Sequence, residues 1–551
     1  MSPQARRALG GLVGAAAMIG AVTVLARLLG FGRWLLQASE VGPLAIGDAY
    51  NWANLLPNVL FEVAAGGALA GALIPLLAGP IARGDRRDIE RTASGALGWT
   101  LLVLVPLALL LAVCADPVAH WLARTDEQVE LVRYFILVFA VQVPMYGVAV
   151  LLYAVLQAHK RFFWPAFAPV LSSLVVMATY LVYGALAHGE RSDPSALDAG
   201  ALEVLAWGTT LGVAAMCLPM FVPVHRLGVR LRPSLRFPPG VGGRLRALAL
   251  AGVGSVAAQQ LALLVVMVAT SQYATEGTFT RFLYTQQVYL LPYAVLVVPL
   301  ATSTFPRIAA RAAAGDRAGF ASMASTTTRG VLTAAAVGVA AVIAAASAVA
   351  TAFSVIAEDP ALAVEMGRAL TWMMPGLAGF AMLFHASRSL YALERGRSAV
   401  TANVVGWGVF AIAVVVLVRA GLPDGGGVVA IGAASSVGML AGGALALALL
   451  RRAGGPGSLG GLPRTGAVLL VGVVAGSVAG RWVADSVQEL AGYDALTALG
   501  AGAGGAVVAL ALVAGCVAVA DRRTVVEVLR VERTPAPPSD EPALPLDVPG
   551  D

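Results

Sequence analysis

The stretch DAYNWANLLPNVLFEVAAGGALAGALIP, residues 48–75, has the length and apolar weight of a membrane-spanning helix, yet it opens on Asp48 and carries further polar groups that lipid cannot satisfy. Asn54, Asn58 and Glu62 recur every four residues, so a helix places them in one stripe. Pro57 and the Gly66–Gly67 pair interrupt the run, and the backbone groups they free are tolerated only against protein or a wet cavity. The stripe faces a cavity, or else it hydrogen-bonds to neighbouring helices and holds them together. In both cases it belongs inside a bundle of spanning helices.

The rest of the chain has the same character. Of 551 residues, 58% are hydrophobic and 12% charged, outside the range of soluble domains. At roughly 20 apolar residues per span the sequence yields about fourteen spans. They lie near 12–38, 53–80, 92–115, 131–158, 164–187, 201–224, 246–272, 281–305, 329–354, 366–391, 398–419, 426–450, 464–485 and 494–520. The stretch after Arg6 and Arg7 is too long for a secretory signal, contains Arg27 and is followed by many spans, so it reads as a retained first helix. Cys114, Cys217 and Cys516 stand far apart in apolar runs and read as core residues, with no CxxC or Cys/His spacing for a disulfide frame or metal site.

Arginine and lysine alternate between the breaks. Arg6 and Arg7, then Arg83, Arg86, Arg87 and Arg91, then Lys160 and Arg161, then the run from Arg226 to Arg246 mark every second loop, and Arg307, Arg395, Arg451 and Arg522 continue the parity. The positive-inside bias then predicts an even number of spans with both termini cytoplasmic. The net charge of +6 belongs to these loops rather than to nucleic-acid binding. Beyond Asp521 the chain ends in TPAPPSDEPALPLDVPGD, a Pro-rich acidic composition that predicts a disordered tail.

Two internal matches suggest a repeat. Pro75 and Pro306 each close a span and stand at the same spacing before a Gly-Asp, and LLYAVLQAHKRF around Tyr153 resembles SLYALERGRSAV around Tyr391. They set the second span beside the eighth and the fourth beside the tenth, which predicts an all-α polytopic fold of two six-helix lobes in parallel orientation plus two extra helices.

Ionisable residues inside such spans are costly and usually functional, at about 2.5–3.5 kcal/mol even on the lenient insertion scale. Arg27 and Arg33 share VLARLLGFGRWLL and project from the same general flank of one helix, with Gly30 and Gly32 thinning the backbone between them. They read as a cationic pair lining a wet cavity for an anionic head group, since the guanidinium fork suits phosphate. The alternative is that Arg33 snorkels to an interface while Arg27 pairs with Asp48 or Glu62. In the second lobe the polar candidates are Gln259, Gln260, Gln286, Gln287 and Arg388, with Arg281 nearer a helix end. No Ser/His/Asp grouping, HExxH, P-loop or CxxC occurs, and the five histidines are scattered, so the sequence argues against bond-making chemistry and calls for no cofactor.

These residues carry a resemblance. ARLLGFGR, the D-A-Y of Asp48, LPN, GGALAGALIP, QAHKRFFWPAFAPVL and QQVYLLPYAVLVVPLATSTFP are similar to the MurJ (MviN) lipid II flippases, within the multidrug/oligosaccharidyl-lipid/polysaccharide exporter superfamily. The resemblance runs over most of the first twelve spans, with RFFWPAFAP its most specific segment. It implies two lobes around a central cationic cavity, alternating access, and two last helices that form a groove for a polyprenyl tail. It also implies that Arg27, Arg33 and Asp48 occupy positions needed for function. The chain departs from the family where Phe61 and Glu62 stand for an Arg pair and Gln287 for an Arg, which makes its cavity less cationic, and it shows no intramembrane Asp matching the second-lobe sodium ligands of some members.

The expected organisation is an N-terminal lobe over 1–225, a cytoplasmic linker over 226–245, a C-terminal lobe over 246–450, the tail groove over 451–521 and the tail over 522–551. The expected activity is translocation of lipid II across the bacterial cytoplasmic membrane, with Arg27, Arg33, Asp48, Asn54, Asn58, Glu62, Gln287 and Arg388 as substrate-binding residues and with membrane lipids and cell-wall synthesis proteins as further partners. The alternatives are an exporter of another polyprenyl-linked saccharide or of a drug, for which carboxylates rather than arginines would be expected in the cavity, and a non-transporting cell-wall scaffold.

Overall fold

A backbone that lipid cannot hydrogen-bond must close its own bonds, so each apolar run of Ala, Leu, Val and Gly folds as a helix. The computed structural model of the protein describes residues 3–190, 193–421 and 426–521, and among these no strand occurs. The expectations for Arg522 onward, the tail included, lie outside the described residues.

The helices are α1 (Pro3–Glu40), α2 (Ala45–Phe61, Glu62–Gly66 and Gly67–Ala82), α3 (Arg86–Val113), α4 (Asp126–Ala158), α5 (Phe163–Ala187), α6 (Ala199–Arg226) and α7 (Val241–Tyr273). They continue as α8 (Thr278–Ala313), α9 (Arg317–Ala357), α10 (Pro360–Met373 and Pro375–Ala392), α11 (Gly396–Arg419), α12 (Gly426–Gly454), α13 (Leu462–Ala491) and α14 (Ala495–Ala520). Among the described residues 11 helices are long and apolar enough to cross a membrane, and the bent pair of α10 makes 12. The protein is a multi-pass membrane protein.

The helices pack in two groups that share one continuous core, with Tyr50 and Phe135 in the same cluster as Phe282 and Phe410. α5 packs on α1 and α6, and α4 on α2 and α3; α12 packs on α10 and α11, and α11 on α7. α2 and α7 touch across the groups, while α13 and α14 pair with each other and lean on α9. Glycines let backbones meet at these seams, as at Gly406 against Gly442 and Gly480 against Gly505, which is how helices associate where no hydrophobic driving force separates helix from lipid.

The repeat is visible in the breaks. α2 and α8 both widen into a single π-helical turn, at Glu62–Gly66 and Tyr293–Val297, and in both the second segment runs 16 residues, with Pro75 and Pro306 at the same place in it. Pro57 itself stays within regular helix, so of the two interruptions expected only the one at Gly66–Gly67 is formed, by the turn Glu62–Gly66. The second match is one turn out of register: both helices exit through a left-handed residue, Lys160 at φ 60° and Glu394 at φ 58°, but Lys160 lies a turn further from Tyr153 than Glu394 does from Tyr391.

α10 bends by 44° because Pro375 has no N–H to continue the ladder. Ser436 of α12 repairs the gap, its hydroxyl donating to the Trp372 carbonyl at 2.6 Å and accepting from Gly376 N at 2.8 Å.

Candidate functional site

The chain turns from α1 into α2 at the same end of the bundle where α7 turns into α8, and the two groups of helices are fastened there. Gly277 starts α8 at φ 81°, a left-handed conformation that favours glycine, and it has no side chain with which to cap the helix. Asp48, buried on α2, supplies the cap from the other group: its carboxylate accepts from Gly277 N at 2.8 Å, Thr280 N at 3.0 Å and Thr280 Oγ1 at 2.8 Å. A negative charge at a helix N-terminus is stabilised by the free N–H groups and by the helix dipole. Asn51 extends the contact, donating to Thr280 Oγ1 at 3.1 Å and accepting from Gln37 at 3.1 Å.

The opposite pole of the same turn is capped with the opposite sign. Arg124, in the loop between α3 and α4, donates to the terminal carbonyls of α7, to Thr270 O at 3.0 Å, Ser271 O at 3.2 Å and Ala274 O. One group of helices thus presents an anion to the start of α8 and a cation to the end of α7, and this is the latch end of the molecule.

Arg281 stands in the first turn of α8, as its sequence position suggested, and is buried. Its Nε donates to Asp359 at 2.8 Å and its Nη1 lies 3.4 Å from Glu365 of α10. This triad carries the buried acids that sequence reading missed in the second lobe. Among the described residues no group of three or more His, Cys, Asp or Glu could hold a metal ion.

The arginines of α1 are placed differently. Arg27 is exposed, and neither it nor Arg33 pairs with a carboxylate among the described residues, so the alternative ion pairs with Asp48 or Glu62 are not formed. Arg33 is half-buried beside the Trp34 ring, 5.9 Å from its centroid. Around Arg27 the helix stands clear: a side chain at Gly20 or Gly30 would meet nothing within 4 Å.

Asn54, Asn58 and Glu62 are all half-buried, and the Asn58 amide donates to Asn54 O at 2.8 Å, as one face of α2 requires. Gln259, Gln260, Gln286 and Gln287 are half-buried on α7 and α8. Arg388 lies over Phe384, 4.4 Å from its centroid, and Phe305 at 5.8 Å, and it donates to Thr302 at 3.2 Å, so it ties α10 to the second segment of α8. No described hydrogen bond or ion pair joins Arg388 or Gln287 to the α1 arginines. Between α13 and α14 lies a groove of about 630 Å³ lined by Ala467, Val468, Val471, Leu512 and Val519 among other small or apolar residues.

The sequence model of the family described as "Lipid II flippase MurJ" matches residues 38–498. The chain belongs to the lipid II flippase MurJ family. A relative from Rhizobium meliloti (strain 1021) named "Probable lipid II flippase MurJ" is 27% identical over 301 residues, 53% of this chain and 54% of that protein. The chain spans about half the length of the curated relatives it matches. A solved structure titled "Lipid II flippase MurJ, inward closed conformation" superposes with a TM-score of 0.70 at 16% identity, covering 90% of this chain and 98% of its own. An inward-facing multidrug resistance MATE family transporter of the MOP superfamily gives 0.63 at 13% identity over 79% of this chain and 97% of its own. The MurJ fold and the wider superfamily fold are therefore those of this chain, and its family is one of transporters rather than of catalytic enzymes.

Proposed function

We propose that the protein is a flippase for lipid II in the bacterial cytoplasmic membrane, working by alternating access between lobes of residues 1–225 and 246–450, with both termini in the cytosol. The observation that carries this reading is the pair Arg27 and Arg33 on α1, without a carboxylate partner among the described residues, in a chain of this family. A guanidinium that costs energy in a membrane and finds no protein anion is suited to a ligand diphosphate. The open space beside Gly20 and Gly30 gives a polyprenyl-linked head group a lateral way in.

In this reading the polar stripe of Asn54, Asn58 and Glu62, together with Gln287 and Arg388, lines the path, and residues 451–521 hold the lipid tail in the apolar groove between α13 and α14. The latch around Asp48 closes the outer face and must part for release, so the substrate has to favour the outward arrangement by more than the latch contributes. Cell-wall synthesis proteins are the partners such a flippase would meet.

The test is complementation of a strain depleted of its own lipid II flippase. Wild type should restore growth and Arg27→Ala, present in the membrane at equal level, should not. Failure of a well-expressed wild type would withdraw the lipid II assignment, and rescue by both forms would remove Arg27 from the mechanism.

A further inference from the structure

The chain leaving α6 does not run free to α7. From Val229 to Phe237 it lies extended against α3, and the contacts are made by backbone: Arg230 N donates to Glu90 Oε1 at 3.0 Å, Arg232 N to Ser94 Oγ at 3.1 Å, Ser234 N to Ser94 O at 3.2 Å, and the Trp99 indole donates to Leu235 O at 3.1 Å. Gly98 permits the approach, since a side chain there would collide with the Ser234 backbone. Extended backbone alternates its faces, so Val229 and Leu231 turn inward onto the α3 side while Arg230 and Arg232 turn outward.

Those outward arginines meet the end of α6 around a cavity of about 560 Å³. One wall is basic, from His225, Arg226, Arg230 and Arg232, and the other is apolar, from Phe221 and Val222, which are exposed by 38% and 52%. None of the three arginines is in an ion pair among the described residues, and Glu90, the carboxylate on this face, already accepts from the Arg230 backbone. Because the linker is held by its backbone, the guanidiniums are left available.

We propose that this cavity binds an anionic phospholipid, its phosphate among Arg226, Arg230 and Arg232 and its chain along Phe221 and Val222. A fork of guanidiniums matches phosphate oxygens, and basic pockets at the end of a spanning helix attract anionic head groups. The exposed apolar wall, at the end of a membrane-crossing helix, favours a lipid over a free anion. Trp99, 45% exposed beside the strap, is the residue type that sits at membrane interfaces. The site is separate from the α1 arginines, so a bound lipid would act on the joint between the lobes and not on the transport path.

Native mass spectrometry of the full chain released from detergent tests this without any transported substrate, with phosphatidylglycerol and phosphatidylcholine as probes. Wild type should retain phosphatidylglycerol about tenfold better than phosphatidylcholine. The triple variant Arg226→Gln/Arg230→Gln/Arg232→Gln should lose that preference, and Arg395→Gln/Arg397→Gln in another basic loop should keep it. Equal retention of the two lipids by wild type overturns the proposal, as does an unchanged preference in the triple variant. Displacement of phosphatidylglycerol by millimolar inorganic phosphate would overturn it in favour of a free-anion site. If the triple variant aggregates, Arg232→Gln alone is measured, with a loss of several-fold expected and no change contradicting the site.

Discussion

Arg281 and Arg27 carry the same guanidinium in the same membrane protein, and their surroundings differ at every point. Arg281 is buried at the latch end between Asp359 and Glu365, next to the turn where Asp48 and Arg124 cap the two helix ends of α7 and α8. Arg27 is exposed on a length of α1 with open space beside Gly20 and Gly30. A buried ion cluster that satisfies itself is structural, because removing one member leaves the others charged and unpaired. A cation that the protein leaves without an anion contributes nothing comparable to stability and is free to meet a ligand. The lesson is that charge inside a membrane protein is interpreted by its partners more than by its depth.

The largest effect expected from this contrast is at Arg281. Arg281→Ala strands Asp359 and Glu365 and should cost about 3–5 kcal/mol, seen as a marked fall in the unfolding temperature in detergent. A variant as stable as wild type would break the contrast at its structural end.

Asp48→Ala should act less on the whole fold and more on the latch. Removing the carboxylate leaves buried N–H groups of α8 without an acceptor, worth about 1–3 kcal/mol against the latched arrangement. In a chain with Cys114, Cys217 and Cys516 replaced by Ala and Gln287→Cys introduced, labelling by a membrane-impermeant thiol reagent should accelerate roughly tenfold. An unchanged rate would mean that Asp48 does not hold this end closed.

The smallest effect on stability is expected at Arg27. Arg27→Ala should alter the unfolding free energy by no more than about 0.5 kcal/mol, since no described partner is lost. A drop like that of Arg281→Ala would show that Arg27 is structural after all and would erase the distinction.

Much of this was legible in the sequence, for identifiable reasons. Helices follow from apolar runs alone, so among the described residues 12 of the expected spans, α10 counted as one, fall where hydropathy puts them, while α1 and α2 do not reach the length and hydropathy of a span. The spacing of Pro75 and Pro306 found α2 and α8 as equivalents because the same turn of helix is opened in both. Breaks in α2 were placed at Pro57 and at Gly66–Gly67; the wide turn, Glu62–Gly66, meets the second and not the first, since a proline only removes its own hydrogen bond and does not decide where an extra residue is accommodated. Asp48 stood out as a carboxylate opening an apolar run, yet its partners Gly277 and Thr280 could not be read, because they are 229 and 232 positions away and contribute two backbone N–H groups, which every sequence has, beside one threonine hydroxyl. Arg124, Asp359 and Glu365 were passed over for a related reason: each lies at or near a loop, where charge is ordinary until the fold brings it against a helix end or another charge.

The central claim is that the unpartnered cations of α1 act on the transported lipid rather than on the fold. Purified wild type and Arg27→Gln, matched for unfolding temperature and reconstituted at equal density in liposomes, would be compared for translocation of fluorescent lipid II, read by quenching from one side. The account predicts translocation by wild type and its loss in the variant with the fold intact. Equal translocation by both would contradict it.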